Sequence, residues 1–159
     1  MLFLLFQLGR DRYALDSAQV AEVLPLLGIK QIPQVPRGIV GAFNYRGVPV
    51  AVVDLCEFAL GRPARKQLST RIVLVNYADA AGASRLLGLI AEKVTETLRC
   101  EPGDFAPAGV TTDAAPYLGP VRADERGLVQ WIDPDKLLPM PVRDALFQQL
   151  AGHSSDAPS

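Results

Sequence analysis

The sequence predicts a mainly β fold made of two small β-barrels that pack together along a shared apolar seam. The first observation is the number of strand-like stretches, about nine or ten, which follow one another at the short intervals typical of barrels. The second is that helical periods are few and brief over the 159 residues. The third is that hairpin patterns recur in both halves of the chain, which favours two barrels over an α/β sheet.

The chain opens with a predicted β-hairpin. Two apolar runs, residues 3–8 and 13–15, flank the polar turn from Gly9 to Arg12. Asp16 then predicts the start of a short helix over residues 17–21, because an aspartate side chain caps the free N–H groups of a first helical turn.

A central hairpin from Gly38 to Leu55 is the stretch around which the chain is organised. It follows a predicted edge strand at residues 22–26, where Pro25 cannot donate a hydrogen bond to a central ladder. Its turn, Asn44-Tyr45-Arg46-Gly47, ends on a glycine that can adopt a positive φ. The turn holds Arg46 at its tip, and the planar guanidinium suits bidentate pairing with a carboxylate.

The middle of the chain predicts one short helix and three more strands. Asp54 is placed to cap a helix over residues 55–60, which Gly61 ends. The basic connector at residues 61–69 is interpreted as a solvated loop. The strands follow at residues 71–77, 86–91 and 93–98, and the first two form a second hairpin.

The last third predicts a loop, a third hairpin and short helices. The loop at residues 101–116 is rich in Pro and Gly. We expect a single domain over residues 1–151 and a disordered tail over residues 152–159. The remaining predicted elements are a hairpin of residues 117–121 and 128–132, a short helix over 136–138 capped by Asp133 or Asp135, and a helix over 142–150.

Composition and charge narrow the function classes. The chain has 16 Lys and Arg against 17 Asp and Glu, so it lacks the basic excess that binding to a nucleic-acid backbone requires. Cys56 and Cys100 stand in unrelated contexts, which indicates a reducing compartment rather than a disulfide scaffold. The apolar N-terminal run has no basic region before it and is too short for a membrane span, so we expect a cytoplasmic protein.

Catalytic and cofactor-binding patterns are missing from the sequence. The one histidine, His153, lies in the predicted tail, where it cannot activate a nucleophile or hold a metal ion in a folded site. The chain has no phosphate-binding loop, no dinucleotide-binding glycine pattern and no closely spaced metal ligands. We therefore expect no enzymatic activity, no cofactor and no metal.

Several stretches closely resemble the CheW family of chemotaxis coupling proteins. The match covers nearly the whole chain, and the Asn-x-Arg-Gly turn with a downstream Asp-Leu is specific. The matching stretches include Val20-Ala21-Glu22-Val23, Asn44-Tyr45-Arg46-Gly47, Val53-Asp54-Leu55, Gly88-Leu89-Ile90, Tyr117-Leu118-Gly119 and Asp133 to Leu138.

The resemblance implies a fold, a function and two binding surfaces. The fold is two five-stranded SH3-like barrels over a hydrophobic interface. The function is that of a non-enzymatic adaptor, which joins the cytoplasmic tip of a methyl-accepting chemoreceptor to the regulatory domain of a CheA-type histidine kinase. By resemblance, Glu22 and Arg46 form an ion pair. The implied receptor-binding residues are Val20, Glu22, Asn44 and Arg46, and the implied kinase-binding residues are Val48 and Val50.

One departure and two alternatives accompany the resemblance. The family commonly has a proline where this chain has Ala51, and here Pro49 lies two positions earlier, which affects the edge of the strand available to a kinase. Within the family, the alternative is a coupling protein for surface attachment, pili or cyclic-dinucleotide control. Outside it, the alternative is a ligand- or RNA-binding small barrel, which the near-neutral charge disfavours.

Overall fold

The computed structural model describes residues 1–26, 28–32, 35, 38–78, 82–108, 115–138, 142 and 146. Within these residues, the elements with defined bounds are nine strands, one α-helix and three short 3₁₀ turns, and Val142 and Leu146 are also helical. The 3₁₀ turns are Ser17–Gln19, Pro102–Asp104 and Pro134–Lys136. The larger elements are β1 Leu2–Leu8, β2 Asp11–Asp16, β3 Val20–Pro25, β4 Ile39–Tyr45, β5 Val48–Asp54, α1 Leu55–Leu60, β6 Arg71–Ala78, β7 Ser84–Arg99, β8 Leu118–Asp124 and β9 Gly127–Ile132.

The strands form two five-stranded barrels that share β7. Barrel A has the order β3-β6-β7-β5-β4, and barrel B has the order β7-β1-β2-β9-β8. Most neighbours are antiparallel, but β5 with β7 and β2 with β9 are parallel pairs. The predicted fold of two five-stranded barrels is therefore confirmed.

Strand β7 runs without a break through both barrels. Its first half pairs with β6 as far as Arg71↔Ala91, and its second half pairs with β1 from Gln7↔Glu92 onward. Lys93 has a φ of 48° at this crossing. The prediction of two separate strands at residues 86–91 and 93–98 is wrong, because β7 continues through Lys93 with ladder pairs on both sides of it.

The apolar seam between the barrels is confirmed by the largest core cluster. Phe6 and Leu15 of barrel B lie in the same cluster as Val53 and Leu89 of barrel A, and each of these four side chains is at most 2% exposed. Burial of such side chains stabilises a fold by about 1.5–3 kcal/mol each. The two barrels therefore share one continuous core.

A buried carboxylate joins the barrels at the point where β7 crosses. Glu92 Oε1 accepts from the backbone N–H of Gly9, in the β1–β2 turn, at 2.9 Å, and Oε2 accepts from that of Arg65 at 2.6 Å. The Arg62 guanidinium contacts both oxygens, at 3.2 and 3.3 Å. The interpretation of the basic connector as only a solvated loop is thus wrong for Arg62, whose partner is buried.

The hydrogen bonds to Glu92 outweigh the effect of its burial. Burial alone raises the pKa of a carboxyl group, because it disfavours the charged form. The bonds from Arg62, Arg65 and Gly9 favour the charged form and lower the pKa of Glu92 to about 2. The Glu92 carboxylate is therefore ionised at neutral and mildly acidic pH.

The predicted aspartate caps are present, but the helix after Asp16 is shorter than expected and the helical turn after Asp133 begins two residues earlier than predicted. Asp54 Oδ1 accepts from the N–H of Cys56 at 2.9 Å, and Gly61 ends α1 with a φ of 72°. Asp16 and Asp133 cap single 3₁₀ turns. After Asp16, the β-branched Val20 already begins β3, which is why the predicted helix over residues 17–21 does not form.

The predicted loop at residues 101–116 is anchored to barrel B where the structure describes it. The ring of Phe105 is 5.2 Å from those of Phe3 and Trp131, and Ala106 pairs with Val121. In the predicted C-terminal helix, Val142 and Leu146 are helical. The rest of that helix and the predicted tail at residues 152–159 lie outside the described residues.

Candidate functional site

The β4–β5 hairpin closes through a two-residue turn in which both residues have positive φ. Tyr45 pairs with Val48, and between them Arg46 has a φ of 52° and Gly47 a φ of 85°. This is the type I′ geometry, which matches the right-handed twist of the strands. Asn44 supports the turn, because its Oδ1 accepts from the N–H of Gly47 at 2.7 Å. The Asn-x-Arg-Gly pattern is thus a turn motif with a guanidinium at its tip.

Glu22, Tyr45 and Arg46 form one contact group, which we call the hairpin cluster. Arg46 Nη2 lies 3.7 Å from Glu22 Oε2, so the ion pair that the resemblance implied is present. The hydroxyl of Tyr45 donates a short hydrogen bond to the same oxygen. The guanidinium carbon of Arg46 lies 5.1 Å from the centre of the Tyr45 ring, in the range of a cation–π contact.

The hairpin cluster connects the two ends of barrel A. Glu22 is on β3 and Tyr45 on β4, the first and last strands in the order of this barrel. In the part of the chain that the structure describes, no ladder pairs β3 with β4. The Tyr45–Glu22 hydrogen bond therefore joins β3 and β4, which backbone hydrogen bonds between described residues do not pair.

The hairpin cluster is open to solvent. The side chain of Arg46 is 77% exposed and that of Glu22 is 36% exposed. An exposed ion pair contributes roughly 0.2–1 kcal/mol to stability, because water screens it. The hydrogen bond to Glu22 raises the pKa of Tyr45, so the phenol stays protonated and remains a donor. The arrangement is accordingly suited to recognition more than to holding the fold.

Tyr45 was missed by the sequence analysis, which singled out its two neighbours. Its position two residues after Phe43 on the same strand was the available indication, since such residues share a face. The two rings are 6.4 Å apart with an interplanar angle of 74°. Phe43 is only 8% exposed, so it ties the half-buried tyrosine to the barrel core.

The other predicted site residues differ in what they can offer a partner. Val20 is half-buried at the start of β3 and packs against the core, and Asn44 is exposed but uses its Oδ1 within the turn. Val48 is 54% exposed beside the turn. Val50 is fully buried, so the prediction that it lies on a partner-binding flank is wrong.

The burial of Val50 has a clear reason. Strand β5 lies between β4 and β7, and its pairing with β7 starts at Ala51↔Leu87. A central strand covered on both faces has no exposed alternation, as the apolar run from Val50 to Val53 indicates. Pro49 lies just ahead of the β5–β7 pairing, where its missing N–H interrupts no ladder bond to β7.

The described residues contain no arrangement typical of a catalytic or metal centre. They include no group of three or more His, Cys, Asp or Glu side chains that could hold a metal ion. Burial raises the pKa of the Cys56 thiol to about 12, so this thiol is protonated and a poor nucleophile at neutral pH. No helix in the described ranges is long and apolar enough to cross a membrane.

Comparison with known proteins shows the family to which this fold and hairpin cluster belong. The model of the CheW-like domain matches residues 2–141, which is most of the chain and includes the whole hairpin cluster. The chain belongs to the CheW-like domain family. The resemblance drawn from the sequence motifs is therefore confirmed.

Relatives of this CheW-like domain come from several bacteria. Protein FrzA of Myxococcus xanthus is 31% identical over 123 residues, covering 76% of this chain and 74% of the relative. Chemotaxis protein CheW of Klebsiella aerogenes is 27% identical over 138 residues, covering 86% and 80%. Chemotaxis protein CheW of Helicobacter pylori is 27% identical over 110 residues, which is 69% of this chain but 63% of that relative.

A solved structure shares the architecture. The crystal structure of the scaffolding protein TtCheW from Thermoanaerobacter tengcongensis superposes with a TM-score of 0.73 at 26% sequence identity. The match covers 84% of each chain. The two-barrel arrangement of this CheW-like domain is therefore found in a relative of scaffolding type.

Proposed function

We propose that this CheW-like domain is a non-enzymatic adaptor, which couples the cytoplasmic tip of a methyl-accepting chemoreceptor to a CheA-type histidine kinase. The observation that carries the proposal is the hairpin cluster. It presents Arg46, 77% exposed, on a rigid turn of a fold shared with a scaffolding protein. A group held this way serves recognition, because its rigid support lowers the entropy lost on binding.

The proposed receptor surface consists of Val20, Glu22, Asn44 and Arg46. Asn44 and Arg46 lie at one hairpin tip, and Glu22 joins them from β3 through its contact with Arg46. Val20 begins the same strand, two residues before Glu22. The surface offers a cation, a carboxylate and a turn amide within a small area. Such a mixed polar surface suits a receptor tip with complementary charges.

The proposed kinase surface depends on Val48. This residue is 54% exposed, whereas Val50 lies inside the barrel and acts only by supporting the strand. Val48 is the ladder partner of Tyr45, so its side chain is on the same face of the hairpin. The two proposed surfaces therefore adjoin, and a test of the adaptor must follow both partners in the same variant.

An adaptor of this kind requires no chemistry of its own. Binding two partners at once raises the effective concentration of each for the other. In this account the protein is cytoplasmic and reaches receptor arrays through its partners, without inserting into the membrane. It needs no cofactor and no metal to perform this role.

Co-sedimentation tests the proposal. Membranes that carry a methyl-accepting receptor are mixed with the histidine kinase from the same genome, with and without this protein. We expect the kinase to sediment with the membranes only when the protein is present. Equal sedimentation of the kinase in its absence, or none in its presence, contradicts the adaptor role.

A further inference from the structure

Tyr45 is the centre of the hairpin cluster, although the Asn-x-Arg-Gly turn motif does not require a tyrosine at this position. Its hydroxyl donates to Glu22, and its ring lies beneath the Arg46 guanidinium at 5.1 Å. Its ring also contacts the buried ring of Phe43 at 6.4 Å. Tyr45 is thus the member of the hairpin cluster that touches both charged side chains and the core.

The ion pair alone does not fix its own geometry. The Arg46–Glu22 separation of 3.7 Å exceeds the usual length of a charge-assisted hydrogen bond, and Arg46 is 77% exposed. Long side chains in such open pairs retain much of their rotamer freedom. Contacts with Tyr45 limit that freedom, because one end of the ring holds the carboxylate and its face supports the guanidinium.

We propose that Tyr45 is a positioning residue, which holds Glu22 and Arg46 in the arrangement that the receptor recognises. This inference rests on the proposed function and assigns a role at that same surface. Tyr45 acts through its two neighbours, and the receptor contacts are made by the charged groups. The inference therefore predicts that the hydroxyl matters only while Glu22 is present.

Preorganisation sets the size of the expected effect. Fixing one rotamer-rich side chain on binding weakens association by about 2- to 10-fold. Tyr45→Phe removes only the hydroxyl, and we expect it to weaken binding to a soluble receptor tip fragment within that range. Tyr45→Leu also removes the ring beneath Arg46 and should weaken binding further. Tyr45→Phe should keep the melting temperature, because the hydroxyl lies outside the core, whereas Tyr45→Leu also loses the ring contact with Phe43 and should lower it slightly.

A double-mutant cycle separates positioning from direct contact. We expect Tyr45→Phe to have no further effect on receptor binding in the Glu22→Ala background, because the group that the hydroxyl holds is gone. The same fold loss in both backgrounds overturns the inference, since Tyr45 then contacts the receptor itself. Wild-type affinity in the Tyr45→Phe variant also overturns it.

Titration of the tyrosine provides a readout without any receptor. With the ring carbon that bears the hydroxyl labelled for NMR, the pKa of Tyr45 should lie above the ordinary value of about 10 and fall in Glu22→Ala. An unshifted wild-type titration contradicts the inference even if the receptor binds. If the wild-type protein binds no receptor fragment while the shift is present, the proposed function fails, and with it the receptor role of Tyr45.

Discussion

Arg46, in the turn that follows β4, and Glu22, on β3, meet across the open side of barrel A at a distance of 3.7 Å. The pair is thus a contact between barrel edges, presented to solvent at a hairpin tip. Its weak contribution to stability leaves both charges free to respond to a partner. The effect of this pair should therefore be measured on the affinity for a partner and not on the stability of the fold.

Charge reversal of the pair should affect receptor binding non-additively. Glu22→Arg and Arg46→Glu each place like charges together, so each should weaken binding to the receptor tip fragment. The double variant restores opposite charges and should recover part of the loss. Titration calorimetry of the four proteins gives the coupling. If the loss of binding free energy in the double variant equals the sum of the losses in the single variants, the two charges do not act as a pair in receptor binding.

Val48 and Val50 should respond differently to the same substitution. Val48→Asp changes an exposed side chain, so we expect weaker kinase binding with a nearly unchanged melting temperature. Val50→Asp buries a carboxylate in a fully enclosed site and should cost several kcal/mol of stability. Thermal unfolding of both variants checks this. A stable Val50→Asp protein is inconsistent with a buried Val50.

The sequence predicted the elements that depend on local chemistry. The turn at Asn44 to Gly47, the cap at Asp54 and the stop at Gly61 each follow from the conformational preferences of a few neighbouring residues. The parallel pairing of β2 with β9 was not predictable in this way, because the two strands are more than 100 residues apart. The burial of Val50 likewise depends on a long-range pairing, that of β5 with β7.

The same distinction explains the candidate site. Arg46 was found because the turn itself presents it. Tyr45 was missed because its role depends on Glu22, which reaches it from another strand. The continuity of β7 was missed because a lysine with a positive φ is unusual, and only the pairing on both sides of Lys93 keeps it in a strand.

Stability in acid should depend on Glu92. Its pKa in the folded protein is lowered to about 2, so its charge stabilises the fold above the unfolded pKa of about 4.3 and is lost as the pH falls towards 2. The contribution is at most about 3 kcal/mol at neutral pH. We expect Glu92→Gln to lower stability at pH 7 and to flatten its fall between about pH 4 and 2. Urea unfolding at several pH values tests this, and an unchanged acid profile contradicts it.

The two thiols should differ in reactivity. Cys56 is buried, with a pKa raised to about 12, whereas Cys100 is half-buried. We expect a thiol reagent at pH 8 to label Cys100 in the native protein and Cys56 only on unfolding. Protein purified without reductant should show no loss of two hydrogens by mass spectrometry. Rapid native labelling of Cys56 is the opposite result.

We expect a surface around Arg46 to bind the receptor, and its disruption to leave the kinase contact intact. The chain offers a matched control, because Arg126 also precedes a hairpin glycine and pairs with a glutamate, Glu96, at 3.3 Å. Arg126→Glu should therefore reproduce the general effects of reversing a hairpin-tip charge without touching the hairpin cluster.

The most direct measurement is the affinity of Arg46→Glu and Arg126→Glu for the receptor tip fragment and for the kinase regulatory domain, with melting temperatures alongside. We expect Arg46→Glu to lose at least about tenfold in receptor affinity, roughly 1.4 kcal/mol, and to keep its kinase affinity and melting temperature. Arg126→Glu should keep both affinities. A folded Arg46→Glu protein that loses both partners together, or that still binds the receptor as the wild type does, contradicts the account.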